Sequence, residues 1–93
     1  MNRIRAHIRL NTTTDANSFV MLLNSIGTVD KYMLEDFQGK QRVNARSLIG
    51  VIYALTDYSD EMYLVNETQD GTFPSFIDSY RVWKEKFYES FIL

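Results

Sequence analysis

The 93-residue sequence contains no cysteine, one proline and one histidine. The lack of cysteine excludes disulfide scaffolds, cysteine-ligated zinc sites and thiol catalysis. Long hydrophobic runs are also missing: a stretch such as Phe19–Leu23 is far shorter than the roughly 20 apolar residues of a membrane-spanning helix. No hydrophobic stretch follows Arg3 and Arg5, so we expect no signal peptide, no membrane partner and a cytoplasmic location.

Glycine is scarce as well, and the four glycines are isolated, so there is no glycine-rich phosphate-binding loop. His7 has no partner ligands at metal-binding spacing and the carboxylates are scattered, which predicts no metal site and no cofactor. No nucleophile can be paired with a base, and we therefore do not expect an enzyme. The net charge of −2 indicates no bulk attraction for nucleic acid.

Apolar residues are plentiful. They make up 45% of the chain and include six Phe, six Tyr and one Trp, which is enough to fill a core without disulfides. The sequence has no internal repeat and no linker. We therefore predict a single globular domain over residues 1–93.

The first regular element is a half-buried strand over residues 3–10, because apolar and polar residues alternate strictly there. A helix follows the break at Thr12–Asp15 and runs to about Ser25, with Asp15 as its expected N-cap and Gly27 just past its end. The apolar stripe of this helix recurs at three- and four-residue spacing and consists of Ala16, Phe19, Leu22, Leu23 and Ile26.

The middle of the chain predicts a hairpin and a second helix. Residues 31–37 form a strand of unclear parity, in which a bulge is plausible, and a turn at 38–40 leads to a return strand at 41–43. Asn44 then caps a short helix over 45–53, and a loop covers 55–60.

The C-terminal third predicts a strand over 61–66, with Met62 and Leu64 facing inward, and then a last helix. Gly71 and Thr72 open this helix and Pro74 occupies its first turn. Its buried stripe is Phe73, Phe76, Ile77, Tyr80, Trp83 and Phe87.

The predicted order is β-α-β-β-α-β-α. It is typical of an α+β open sandwich, with a four-stranded, mainly antiparallel sheet and three helices on one face. The other face of the sheet is expected to expose Arg3, Arg5, His7, Arg9 and Tyr63.

The segment 37–51 reads FQGKQRVNARSLIGV and resembles HPr, the phosphocarrier protein of the bacterial sugar phosphotransferase system. It is similar to that family's turn, short strand, regulatory serine and second helix, with one extra residue near Gln41 or Arg42. The order and lengths of the elements extend the resemblance over nearly the whole chain. The resemblance implies an HPr-like open-faced β-sandwich.

The sequence departs from the family at the phosphoacceptor. The family's motif Gly-hydrophobic-His-Ala-Arg-Pro corresponds to Thr13–Ser18, so Asp15 stands at the histidine position and Asn17 at the arginine position. Histidine relays phosphate because imidazole is a good nucleophile near neutral pH, and arginine neutralises the phosphoryl group. We therefore expect no phosphocarrier activity. The alternative is a phosphocarrier with its acceptor relocated to Asp15.

The resemblance implies a regulatory phosphorylation site at Ser47, with Arg42 and Arg46 close to it in sequence. A phosphate near a helix start can meet free backbone N–H groups. The alternative interpretation is an ordinary serine in a first helical turn.

Leu48, Ile49 and Ile52 match the family's exposed apolar patch, which docks onto partner proteins, whereas Val51 and Leu55 are expected to face inward. The alternative is plain core packing. Our preferred hypothesis is a regulatory or adaptor domain that docks protein partners, such as a serine kinase or a transcriptional regulator, through its second helix.

The sequence offers two further candidate binding surfaces, each with an alternative interpretation. The arginine face of the first strand, together with Tyr63, could bind a phosphate-bearing ligand or RNA, although a solvated sheet face is favoured. The C-terminal residues could bury against a second copy in a homodimer, or against the chain's own core. These residues are Tyr88, Phe91, Ile92 and Leu93.

Overall fold

A computed structural model of the protein describes residues 4–27, 30–58, 61–68 and 71–82. Four strands form one antiparallel sheet in the order β1-β4-β2-β3, and two α-helices pack against it. The elements are β1 (Ile4–Ile8), α1 (Thr13–Ser25), β2 (Tyr32–Glu35), β3 (Arg42–Asn44), α2 (Leu48–Asp57) and β4 (Met62–Asn66), followed by a 3₁₀ helix (Ser75–Ser79). The predicted α+β class and antiparallel sheet are confirmed.

The strand register separates two faces of the sheet. The row Ala6, Leu64, Leu34 and Val43 crosses all four strands and lies on the inner face, under the helices. The neighbouring row crosses the outer face and consists of His7, Tyr63, Glu35 and Arg42. The alternation predicted for β1 is confirmed. Strand β2 pairs without a bulge, so its parity is regular and Glu35 faces outward.

Helix α1 begins with a capping box. Thr12 is the N-cap and its Oγ1 accepts from the N–H of Asp15, while the Asp15 carboxylate accepts from the Thr12 N–H. The prediction that Asp15 is the N-cap was therefore wrong, because it occupies the third helical position. The helix buries Ala16, Phe19, Val20 and Leu23. Leu22, predicted to belong to the buried stripe, is exposed.

Helix α2 starts three residues later than predicted. Ser47, not Asn44, is its N-cap: the Ser47 Oγ accepts from the Gly50 N–H, and the Asn44 Oδ1 is instead taken by the N–H of Arg46 in the preceding turn. The helix continues to Asp57, through half of the predicted loop.

The predicted third α-helix is wrong in the described residues. Ser75–Ser79 form only a short 3₁₀ helix, and the chain then extends along the free edge of β1. There the N–H of Arg9 donates to Tyr80 O at 2.9 Å, and the Val82 N–H donates to His7 O at 2.8 Å. Backbone groups bound to a strand edge cannot also belong to a helix. The predicted contacts of Trp83, Phe87 and residues 88–93 lie outside the described residues.

The helices run antiparallel to each other. We call one end of the sheet the Ile4 end, where Ile4 and Tyr32 both pair with Asn66, and the other the Ile8 end, where Ile8 pairs with Met62. Helix α1 runs from the Ile8 end to the Ile4 end, and α2 runs from the Ile4 end to the Ile8 end. Neither α-helix described here is long and apolar enough to cross a membrane.

Candidate functional site

The outward side of the two helices carries large apolar side chains in contact with solvent. Ile49 is 83% exposed and Met21 is 64% exposed, and three further residues are partly exposed. We call this set the helical surface; it consists of Met21, Leu22, Leu48, Ile49 and Tyr53. Exposed apolar side chains that lie together are typical of interaction sites rather than of a free surface.

Both halves of the helical surface meet at the Ile4 end of the molecule. The side chain of Asn24, near the end of α1, donates to Arg46 O at 3.1 Å, just before α2 begins. The Arg46 guanidinium in turn donates to Leu23 O at 2.5 Å. These bonds tie the end of α1 to the start of α2, and so place Met21 and Leu22 on the same end of the helical layer as Leu48 and Ile49.

The predicted docking residues are distributed over this layer as the helical period requires. Leu48 and Ile49 are exposed, and Ile52 is half-buried against the core. Val51 is buried and Leu55 packs partly against the core, in agreement with their predicted inward orientation. Apolar spacing assigned Leu22 to the buried stripe of α1 and gave no role to Met21, because spacing alone does not show which apolar side chains face a partner.

The helical surface is depleted of charge. The chain has ten Lys and Arg residues and twelve Asp and Glu residues, yet α1 contains only Asp15 and α2 contains only Asp57. Asp15 lies in the first turn of α1 and Asp57 in the last turn of α2, so both belong to the Ile8 end, away from Ile49. Depletion of charged residues characterises the cores of protein–protein interfaces.

Ser47 lies at the border of this surface. Its hydroxyl caps α2 by accepting from the Gly50 N–H at 3.2 Å. Arg46 turns away and donates to Leu23 O and Asp30 O, while the Nε of Arg42 pairs with Glu35 at 2.9 Å. Neither of the two arginines that are close in sequence is therefore aimed at the Ser47 hydroxyl.

Asp15 and Asn17 lie in the first turns of α1. The Asp15 Oδ2 accepts from the N–H groups of Asn11 at 2.9 Å and Thr12 at 3.2 Å, so capping accounts for a carboxylate at this position. Asn17 is exposed and contacts the Met21 sulfur at 3.7 Å. His7 lies on the outer sheet face, opposite α1, and does not join Asp15.

The outer sheet face holds an ionic network that sequence reasoning missed. Glu35 is only 3% exposed. Its carboxylate oxygens form ion pairs with the Nε of Arg5 at 3.5 Å and with the Nε of Arg42 at 2.9 Å. Arg42 also pairs with Glu67, which lies 3.7 Å from the Lys31 ammonium group. The ion pairs thus link five residues of alternating charge across the sheet, in the order Arg5, Glu35, Arg42, Glu67 and Lys31.

Aromatic rings continue this face. The Arg5 guanidinium lies 3.9 Å from the centre of the Tyr63 ring, and its N–H groups donate to Asp36 O and Phe37 O. The His7 ring stacks on Tyr63 with centroids 4.7 Å apart. Burial, followed by the hydrogen bond to Glu61, raises the pKa of Tyr63. Together with the ion pair to Glu35, these contacts give Arg5 a structural role on this face.

The predicted arginine face is thus only partly present. Arg5, His7 and Tyr63 share the outer face as expected, Arg9 is exposed just beyond β1, and Arg3 lies outside the described residues. The regular alternation of Met33 and Glu35 with Tyr32 and Leu34 was the signal that could have placed Glu35 here. Within the described part of the chain, no cluster of His, Asp and Glu residues could hold a metal ion.

No protein-family model, no curated protein and no solved structure matches this sequence.

Proposed function

We propose that the protein is an HPr-like regulatory or adaptor domain without phosphocarrier activity that docks a protein partner through its helical surface. The observation that carries the proposal is the 83% exposure of Ile49 in a charge-depleted layer that also exposes Met21 and Leu48. Keeping such side chains wet has a free-energy cost that burial against a partner removes.

The HPr-like part of the proposal is supported by the sequence resemblance and by element order. The described elements follow the order β-α-β-β-α-β that the resemblance implies, although the last element is not an α-helix in the described residues. Two of the three residues similar to the family's docking patch, Leu48 and Ile49, are exposed on α2, whereas Ile52 is half-buried. The capping role of Asp15 supports the absence of carrier activity, since its carboxylate already serves the backbone.

Regulation at Ser47 is a further element of the proposal. A phosphate there would add about −1.5 to −2 charges at neutral pH, directly beside the uncharged side chains of Leu48 and Ile49. The backbone N–H groups of the first turn of α2 would stabilise the phosphate. Its charge would also disfavour burial of Leu48 and Ile49 against a partner. We therefore expect phosphorylation to weaken docking.

The modification is tested by incubating the purified protein with the serine kinase of the HPr family and ATP, followed by intact mass measurement. One added phosphate that is absent from Ser47→Ala supports regulation at this residue. An unmodified protein, with a known substrate modified in parallel, removes this element of the proposal and leaves the docking surface to be tested separately.

The docking surface is tested with a photo-crosslinking amino acid at position 22, in cells that express the protein. We expect covalent adducts whose yield falls severalfold in Leu48→Asp. Lys40→Asp introduces the same side chain on the exposed hairpin and should leave the yield unchanged. Equal adduct yields in Leu48→Asp and Lys40→Asp, or no adducts at position 22, would contradict the proposal.

A further inference from the structure

Helix α1 carries a four-residue hole on its outward side. Ser18, Met21, Leu22 and Ser25 are all exposed and line a concavity of about 430 Å³. Their spacing of i, i+3, i+4 and i+7 is that of the hole that receives one side chain in knobs-into-holes packing. The Ser25 hydroxyl donates to Leu22 O at 2.7 Å, so this wall of the hole needs no further hydrogen bond when it is covered.

Helix α2 carries a knob on the same side of the molecule. Ile49 projects from its first turn and is the most exposed large apolar residue in the described chain. The bonds from Asn24 and Arg46 hold the first turn of α2 beside the last turns of α1, so knob and hole are neighbours at the Ile4 end. Their side-by-side placement keeps Ile49 out of the hole of its own chain.

We propose that the partner of the helical surface is a second copy of this chain, with Ile49 of each copy inserted into the α1 hole of the other. This inference rests on the docking surface proposed above and identifies its occupant. A twofold axis between knob and hole makes the contact isologous, so that both insertions form at once. The contact closes on itself and leaves no free hole for a third copy.

Charge favours self-association through this side. Each copy has a net charge of −2, but the helical surface itself carries no charged side chain. Asp15 and Asp57 lie at the Ile8 end, and a twofold axis at the Ile4 end keeps them apart from their counterparts. Two copies can therefore meet on this face without placing like charges in a dry interface.

The size of the surface sets the expected affinity. Two helices of 13 and 10 residues present a face of roughly 20 Å by 20 Å. That footprint of about 400 Å² is below the ~800 Å² per partner of standard stable complexes. We therefore expect a weak dimer with a dissociation constant on the order of 10–100 µM.

Sedimentation equilibrium of the purified full chain tests the inference over about 5–1,000 µM, a range that brackets the expected constant. The wild type should pass from monomer to dimer. Ile49→Glu removes the knob and Ser25→Lys obstructs the hole, so each variant alone should remain monomeric while its far-UV circular dichroism is unchanged. Phe37→Glu changes an exposed aromatic residue beside Tyr63, on the outer sheet face opposite the helices, and should dimerise like the wild type.

Mixing the two monomeric variants gives the sharpest result. The carboxylate of the Ile49→Glu chain meets the ammonium group in the hole of the Ser25→Lys chain, while the second knob and hole remain native. We expect the mixture to form a heterodimer. A wild type that stays monomeric throughout, a dimer that survives Ile49→Glu, or a mixture that fails to associate would each overturn the inference.

This outcome is separable from that of the proposed function. If the wild type is monomeric but the probe at position 22 still forms Leu48-dependent adducts with a different protein, the second copy is wrong and the docking surface stands. If those adducts are also absent, both proposals fall.

Discussion

The helical surface and the outer sheet face present opposite kinds of side chain to solvent. On the sheet face, charged groups are frequent and have partners: Arg5 and Arg42 converge on Glu35, and Lys31 approaches Glu67. On the helical surface, charges are lacking and apolar groups such as Ile49 face water. The first arrangement is complete within one chain, whereas we propose that the second is completed by another molecule.

This difference indicates where functional change can be sought. On the sheet, the Arg5 guanidinium lies 3.9 Å from the centre of the Tyr63 ring, and Val65, which pairs with Arg5 on the outer face, is fully buried. A ligand for that face would have to displace ion pairs that already exist. A partner for the helical surface displaces only water. Substitutions on the sheet face should therefore change stability, and substitutions on the helical surface should change association.

The largest loss of stability is expected for Glu35→Ala. This change leaves two guanidinium groups without their shared, buried carboxylate. Breaking a buried ion pair typically costs 3–5 kcal/mol, but both arginines are about one-third exposed, so we expect about 2–3 kcal/mol. Urea denaturation measures it. A loss as small as that of Lys40→Ala would show that the network is not structural.

A smaller loss of stability is expected for a change at the Ile8 end of the helical layer. Asp15→Ala removes half of the capping box of α1 and should lower the free energy of unfolding by about 1 kcal/mol. Adduct formation at position 22 should be unchanged, because Asp15 lies far from Ile49. Urea denaturation and crosslinking of the same protein separate the two effects. Loss of adducts without loss of stability would assign Asp15 to the site instead.

Tyr58 follows the last turn of α2 and packs in the core, and its hydroxyl is buried with no hydrogen-bond partner within the described part of the chain. Tyr58→Phe removes an unsatisfied polar group while keeping the ring, so stability should stay level or rise by up to about 1 kcal/mol. Urea denaturation at neutral pH measures the change. A clear loss of stability would mean that the hydroxyl has a partner in solution.

Burial raises the pKa of Tyr58, and nearby Asp36 raises it further; burial likewise raises the pKa of Tyr80. Because the folded state resists ionisation more than the unfolded state does, the stability from these phenols is intact below about pH 10 and is lost as pH rises above it. Unfolding curves from neutral pH to about pH 11 should show that loss. Tyr58→Phe should lose less, and an equal loss would contradict the assignment to Tyr58.

The smallest change in stability is expected for Ile49→Ser. Its side chain is almost entirely in water, so the free energy of unfolding should change by less than about 0.5 kcal/mol. Association should nevertheless be lost, which is the reverse of the result expected for Glu35→Ala. Urea denaturation and sedimentation on the same sample give both values. Intact association in Ile49→Ser would remove the functional contrast between the regions.

Local pattern was sufficient for much of the fold. Strict alternation predicted β1, and apolar spacing predicted α1, since each depends on contacts that neighbours in sequence determine. The prediction of a third helix was wrong because backbone groups of Tyr80 and Val82 form hydrogen bonds with the edge of β1, more than 70 positions away in sequence. A partner at that distance leaves no local signal.

The candidate site was predicted only on one helix. Leu48 and Ile49 were identified through α2. Leu22 has the spacing of core residues and Met21 lies outside that stripe, so only the packing of α1 shows that both are exposed. Glu35 was missed for a similar reason, since its two arginines are brought to it by the pairing of β2 with β3 and by the reach of Arg5 across the sheet.

Hydroxyl-radical footprinting compares the two regions most directly, because Met21 on the helical surface and Phe37 beside the sheet face have nearly equal exposure, 64% and 62%. Oxidation of each residue is measured by mass spectrometry in dilute purified protein and in cells that express it. We expect Met21 to be protected severalfold in cells and Phe37 to be oxidised equally in both settings. Equal oxidation of Met21 in cells and in dilute solution would contradict the claim that the helical surface is a docking site.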